Sequence, residues 1–201
     1  MKSYTAKTLE DLLQSVAAEK NTTVDQLTYT VTEEKSGFLG FGSSVTATVF
    51  APADVQEFIK NYLATFFENL DFPIDIAVTL EDNTYHVDLN AENNAIIIGR
   101  GGQSLHGLSQ VLRNATNNRF KQRFYIILDV NNYKEERHSK VGSLARRIGK
   151  NVQKTRIDAT LDPMPNDERK VIHQTLSNYD HIETISEGEG AMRRVIIKYI
   201  D

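Results

Sequence analysis

Three glycines in four positions, Gly99-Arg100-Gly101-Gly102, stand between an apolar stretch at 95–98 and a second apolar series at Leu105, Leu108, Leu112 and Ala115. Inside a helix or strand each glycine costs about 0.5–1 kcal/mol relative to alanine. The chain must therefore turn here, with bare backbone, between two packed elements. The spacing excludes two phosphate loops. A Walker loop needs Gly-Lys-Ser/Thr to follow, and a dinucleotide fingerprint needs a third glycine where Ser104 stands. What remains is Gly-x-x-Gly enclosing Arg100 and Gly101. Two absent side chains let a sugar-phosphate backbone approach. Backbone N–H groups and the start of the next helix face the phosphates, and Arg100 adds charge. A loop of this kind clamps about four nucleotides of a single strand.

The flanking periodicities place this loop in a definite order. Val55, Ile59, Tyr62, Leu63, Phe66 and Leu70 predict a helix over 54–70 with one apolar stripe, capped by Asp54. Two alternating segments, Ile74–Leu80 and Tyr85–Leu89, predict a hairpin, and Phe124, Ile126, Leu128 and Val130 a buried strand. Upstream, Thr8 caps a helix to residue 19. Leu27, Tyr29 and Val31 alternate as a half-buried strand, and Val45, Ala47 and Val49 as another. Between them, Lys35-Ser-Gly-Phe-Leu-Gly-Phe-Gly-Ser43 reads as a hairpin turn with apolar anchors. This makes a small β-α-β-β unit, followed by a short linker at 51–53.

Downstream, Val141, Leu144, Ile148 and Val152 predict a long helix over 134–156 with basic other faces. A short strand near 158–161 follows, then a turn at Pro163 and Pro165. Next comes a helix over 166–176 capped by Asn166, and closing strands over 182–186 and 193–200. The expected fold class is α+β, in three small domains at 1–50, 54–132 and 133–201.

Net charge is −4, yet it is unevenly spread. No carboxylate occurs from residue 93 to 128, a stretch that holds Arg100, Arg113, Arg119, Lys121 and Arg123. Residues 134–156 hold eight Lys/Arg against Glu135 and Glu136. Basic faces on an acidic chain attract a polyanion locally while the rest stays soluble. The first 52 residues are net −2, so the N-terminal unit is not expected to touch nucleic acid itself. Arg169 and His173, four residues apart, share one helix face at the rim of its apolar stripe, a pairing suited to phosphate.

With these pieces in place, residues 54–132 resemble a KH domain of the bacterial type II kind. Many of its relatives have a basic residue where this chain has Gly101. Leu161-Asp-Pro-Met-Pro165, the Arg169/His173 helix, Ser186-Glu-Gly-Glu189 and Arg193-Arg194 resemble an R-three-H domain. The order of units, with Lys35-Ser-Gly-Phe-Leu-Gly-Phe-Gly42 in the first, resembles the Jag family along nearly the whole chain. That resemblance implies a single-stranded RNA-binding protein of the bacterial cytoplasm with a post-transcriptional role in cell elongation and envelope control. It implies RNA contacts at Ile98, Gly99, Arg100, Gly101, Gly102, Gln103, Arg169 and His173. It also implies a small single-KH protein as partner and oligomerisation through the KH domain. Two alternatives stand beside it: an adaptor whose N-terminal unit docks a partner, and a single-stranded DNA binder.

Other classes find little support. There is no cysteine, hence no thiolate site or disulfide framework. The five histidines show no metal-ligand spacing, and no serine sits in a nucleophile motif. The expectation is a protein that is not an enzyme and needs no metal or cofactor. No apolar run approaches the ~20 residues of a membrane span, and no targeting segment is read at the N-terminus.

Overall fold

The computed structural model describes residues 2–35 and 43–201. The chain forms two compact units, residues 1–131 and 132–201. Both are mixed α+β, as the periodicities predicted.

The first unit begins with β1 (Lys2–Ala6), the opening strand of the expected β-α-β-β order, to which the sequence pattern assigns no particular residues. Helix α1 (Leu9–Glu19) follows, its Thr8 hydroxyl accepting the Asp11 N–H at 3.1 Å. Strands β2 (Thr28–Lys35) and β3 (Ser44–Phe50) complete an antiparallel sheet in the order β1-β3-β2. The turn predicted between them falls on 36–42, outside the described residues. α1 buries Leu12, Leu13, Val16 and Ala17 over Ala47 and Val49 of the central strand. The half-buried reading of β2 is corrected. Leu27 is buried, but Tyr29 and Val31 are exposed, because β2 is an edge strand beyond the helix's cover.

Helix α2 (Pro52–Glu68) starts directly after β3. The residues expected as a linker lie inside this unit: Ala51 is buried, and Pro52 opens the helix, where its missing N–H costs nothing. Asp54 is the third helical residue rather than the cap. Its Oδ2 reaches back to accept the Ala51 N–H at 2.6 Å, while Lys20 donates to Oδ1 at 2.6 Å. The apolar stripe splits in two: Val55, Ile59, Leu63 and Phe67 are buried, but Phe66 and Leu70 are exposed.

Strands β4 (Asp75–Glu81), β5 (Thr84–Asn90) and β6 (Tyr125–Val130) form a second sheet, β4-β5 antiparallel and β5-β6 parallel. Between β5 and β6 run α3 (Asn94–Ile98) and α4 (Gln103–Phe120). α2 packs on β4 and α4, and α4 packs on β6. The two sheets of the unit meet at aromatic rings. Phe50, from β3, lies 4.8 Å from Phe120 and 6.3 Å from Phe124, with Phe58 and Tyr85 alongside.

The second unit is built on α5 (Tyr133–Thr155), crossed by α6 (Asn166–Leu176). Strands β7 (Ala159–Thr160), β8 (Ile182–Glu187) and β9 (Arg194–Tyr199) form a sheet in the order β7-β9-β8. The α5 seam is made of small residues. Gly142, Ala145 and Gly149 are buried with Val141 and Val152, and a Cβ at Gly149 would press on Leu176 Cδ2 at 2.7 Å. Leu144 and Ile148, expected in the seam, are only half-buried beside it.

Asp167 and Glu168 do more than complement the α6 dipole. Arg137 donates to both oxygens of the buried Glu168, at 3.0 and 3.1 Å, and His138 pairs with Asp167 at 3.1 Å. Burial opposes the charged form of Asp167, but hydrogen bonds from His138 and backbone N–H groups outweigh it and hold its pKa below the usual range. These pairs clamp α6 to α5. Glu168→Ala should lower the stability of the second unit by about 2 kcal/mol, less than a fully buried pair because Arg137 reaches solvent. Denaturant unfolding checks this, and a loss under about 0.5 kcal/mol would rule out a structural clamp.

Candidate nucleic-acid interface

The loop residues sit where α3 stops and α4 starts. Gly99 closes α3, its N–H donating to the Ala95 carbonyl at 2.9 Å, and takes φ 69° and ψ −176°. A Cβ there would collide with Ser104 Oγ, so only glycine fits. Gly101 and Gly102 are left-handed, at φ 59° and φ 80°. A Cβ on Gly101 would meet nothing within 4 Å. The first glycine is therefore needed for packing, and the second keeps an open surface bare. Gln103 is exposed as the first residue of α4, and Ile98 is half-buried on the other side of the loop. Ile97 anchors α3 in the core at 5 % exposure, while Ile96 is 61 % exposed. Arg100 is exposed and makes no ion pair among the described residues.

The carboxylate-free stretch is not one basic face. Arg100 lies at the start of α4, whereas Arg119, Lys121 and Arg123 cluster about its end, roughly 27 Å away along an 18-residue helix. Arg113, between them, is held by the Ile126 carbonyl at 3.4 Å. The basic pattern also gives no hint of Tyr125 and Ile127. They alternate with buried residues on β6 and leave an exposed aromatic and aliphatic pair on an edge strand. The signal for them is that alternation, which assigns them outward despite their apolar character.

In the second unit Arg169 and His173 do share one face of α6, but the arginine is not at a rim. Its side chain is buried at 9 % exposure. One guanidinium nitrogen donates to Asn166 Oδ1 at 3.0 Å, and Nε has no partner among the described residues. So Asn166, expected as the helix cap, instead orients the arginine, and Pro165 holds the cap position. Burial, and the nearby charge of Arg193, hold the Arg169 pKa below the ordinary arginine value.

Two hydroxyls from β8 flank the imidazole of His173. Nδ1 is 2.6 Å from Thr184 Oγ1, and Nε2 is 2.9 Å from Ser186 Oγ. Burial first, and then the Arg169 charge, depress the His173 pKa below its usual value. The ring is thus neutral near pH 7, with one nitrogen donating and the other accepting. Ser186 and Arg193 belong to the segments that carry the R-three-H resemblance, although neither is expected there as an RNA contact, and nothing in the sequence singles out Thr184. All three reach Arg169 and His173 only because β8 and β9 pair antiparallel beside α6.

The basic run on α5 is partly consumed by structure. Arg137 pairs with Glu168, Lys140 with Glu136, and Arg156 sits over the Tyr199 ring. Arg147, Lys150 and Lys154 remain exposed without ion pairs among the described residues, and Arg146 bonds only Ser143 among them. No helix is long and apolar enough to cross a membrane, and no group of three His, Asp or Glu is placed to hold a metal, both among the described residues.

Comparison with known proteins bears out the resemblance to the Jag family and to the R-three-H domain. Residues 140–199 match the model of the R-three-H domain, and residues 4–51 match that of the Jag N-terminus. The chain is 33 % identical over 202 residues to the RNA-binding protein KhpB of Clostridium symbiosum, an alignment covering 98 % of this chain and 90 % of that one. It is 33 % identical over 206 residues to the RNA-binding protein KhpB of Bacillus subtilis (strain 168), covering 99 % of each. With the protein of the same name from Streptococcus pneumoniae serotype 2 the identity is 27 % over 150 residues, covering 75 % of this chain and 46 % of that one.

Proposed function

The chain belongs to the Jag family, and from that premise we propose that it binds single-stranded RNA at two sites, one in each compact unit. The observation that carries this reading is Arg169. A guanidinium with an unpartnered nitrogen costs about 1–3 kcal/mol when buried, more for a charged group. With Arg193 nearby and His173 close enough on the same helix face to feel the Arg169 charge, that expense is offset when a phosphate oxygen arrives. The second site is the loop from Ile98 to Gln103, where bare backbone at Gly101 and Gly102 admits the strand and Arg100 supplies charge. The same reading takes 54–132 as a KH domain, 133–201 as an R-three-H domain, and the protein as a cytoplasmic binder rather than an enzyme. It includes a small single-KH protein as partner, self-association through the KH domain, and a post-transcriptional role in cell elongation and envelope control.

His173 gives this proposal a signed test. In the free protein its pKa is depressed, so the stability contributed by the neutral ring is present above the unfolded pKa of about 6.5 and is lost as pH falls through the folded pKa. A phosphate beside the ring acts oppositely, because it favours the imidazolium. RNA affinity should therefore rise as pH falls from about 8 to about 6, while folding stability falls. His173→Gln should flatten the affinity profile, the histidines outside this site serving as internal control. A parallel profile in parent and variant would remove His173 from the phosphate contact. Competing RNA against DNA of one sequence reports whether the 2′-hydroxyl is read.

A further inference from the structure

Residues 61–99 carry seven carboxylates and no lysine or arginine. Three of the seven stand on the rim of a groove in the first unit, with a volume of about 720 Å³. Its walls are the last turn of α2, the segment entering β4, and residues 90–93 between β5 and α3. Phe67, Phe72, Ile74 and Ile76 supply an apolar lining. Glu68, Asp75 and Glu92 are exposed at its edge, and none of their side-chain carboxylates makes an ion pair or hydrogen bond among the described residues.

We propose that this groove docks a cationic peptide segment of another protein, one that sets an aromatic or branched aliphatic side chain between lysines or arginines. The volume lies within the ~300–1,000 Å³ of grooves that enclose a ligand, and the apolar walls call for an apolar anchor. Three unpaired carboxylates around the opening repel phosphate and attract cations, so RNA and anionic lipid are disfavoured here. A second copy fits poorly. A two-fold interface through this surface sets acidic rim against acidic rim. The exposed cations of α5, Arg146, Arg147, Lys150 and Lys154, have only Ser143 and Asn151 exposed among them and no exposed apolar side chain to insert. Lys121 and Arg123 do neighbour the exposed Tyr125 and Ile127, but those two are held in β6 against β5, so a second copy would present them as a sheet edge and not as a peptide segment.

The test uses the full chain and a fluorescein-labelled heptapeptide, Lys-Arg-Phe-Lys-Leu-Arg-Lys, read by anisotropy. Saturable one-site binding is expected. Glu68→Gln with Asp75→Asn and Glu92→Gln should weaken it about tenfold while RNA affinity stays within about twofold, since these are exposed positions remote from folding contacts. Replacing the peptide's Phe and Leu by serine should also weaken it about tenfold, because charge without an anchor leaves the groove empty. Phe72→Ala, which empties part of the groove without touching charge, is the second variant and should lose affinity as well. No binding, equal binding of the serine peptide, or an unchanged affinity in the triple variant would overturn the proposal. So would a concentration-dependent molar mass in the parent that the triple variant abolishes, since a second copy would then be the occupant.

Discussion

Phe50→Ala is expected to lower the stability of the first unit by about 3–5 kcal/mol, the range for truncating a buried aromatic ring. Phe50 is 6 % exposed and closes β3. Its ring touches Phe120 and Phe124, which belong to the end of α4 and the approach to β6. One side chain thus ties the N-terminal sheet to the helices that present the glycine loop. The measurement is native-state hydrogen exchange of the full chain. Amides of α2, β5 and α4 should lose protection in the variant, and those of residues 132–201 should keep it. A change under about 1 kcal/mol in the first group would mean that the two sheets fold separately. The same packing makes a truncation at residue 54 a poor test of the N-terminal unit. It would expose Phe58 and Phe120, and remove Lys20 from Asp54 and the Ala51 N–H that Asp54 accepts. Point substitutions on the exposed face of β2 are the better test of whether that unit touches RNA.

Gly101→Asp with Gly102→Asp should reduce affinity for a short single-stranded RNA by about 100-fold or more, roughly 3 kcal/mol. Both positions are left-handed, and aspartate tolerates that region better than most residues, at a cost of about 1–2 kcal/mol each. The Gly101 position is also sterically open, so the fold should survive. Two carboxylates would then stand where phosphates approach. Salt dependence separates this from unfolding. The slope of log K against log salt for single strands should become shallower by about 0.7 for each phosphate that the loop no longer holds. Gly99→Ala makes the contrast, because its Cβ would strike Ser104 and disturb the α3–α4 junction itself. A folded double variant with unchanged affinity and slope would remove the loop from the interface.

Sequence alone determined the elements whose cause is local. The periodicities of α1, α2, α5 and α6, the alternation of β5 and β6, and the glycine break are properties of neighbouring residues, and each appears close to its predicted place. The Gly-x-x-Gly loop and the Arg169/His173 pair are legible for the same reason. Tertiary structure decided what depends on a partner far along the chain. β1 is a strand because β3 offers it an edge, and Tyr29 stays exposed because α1 packs over β1 and β3, leaving the edge strand β2 beyond it. Gly142 and Gly149, unfavourable in any isolated helix, form the seam that admits α6. Helical spacing alone makes Arg169 a cation at the rim. Only the pairing of β8 with β9 beside α6 buries it and brings Arg193, Thr184 and Ser186 to the same point. A side chain's periodicity fixes which face it occupies. Whether that face meets solvent, another helix or a buried charge is set by neighbours that no local pattern contains.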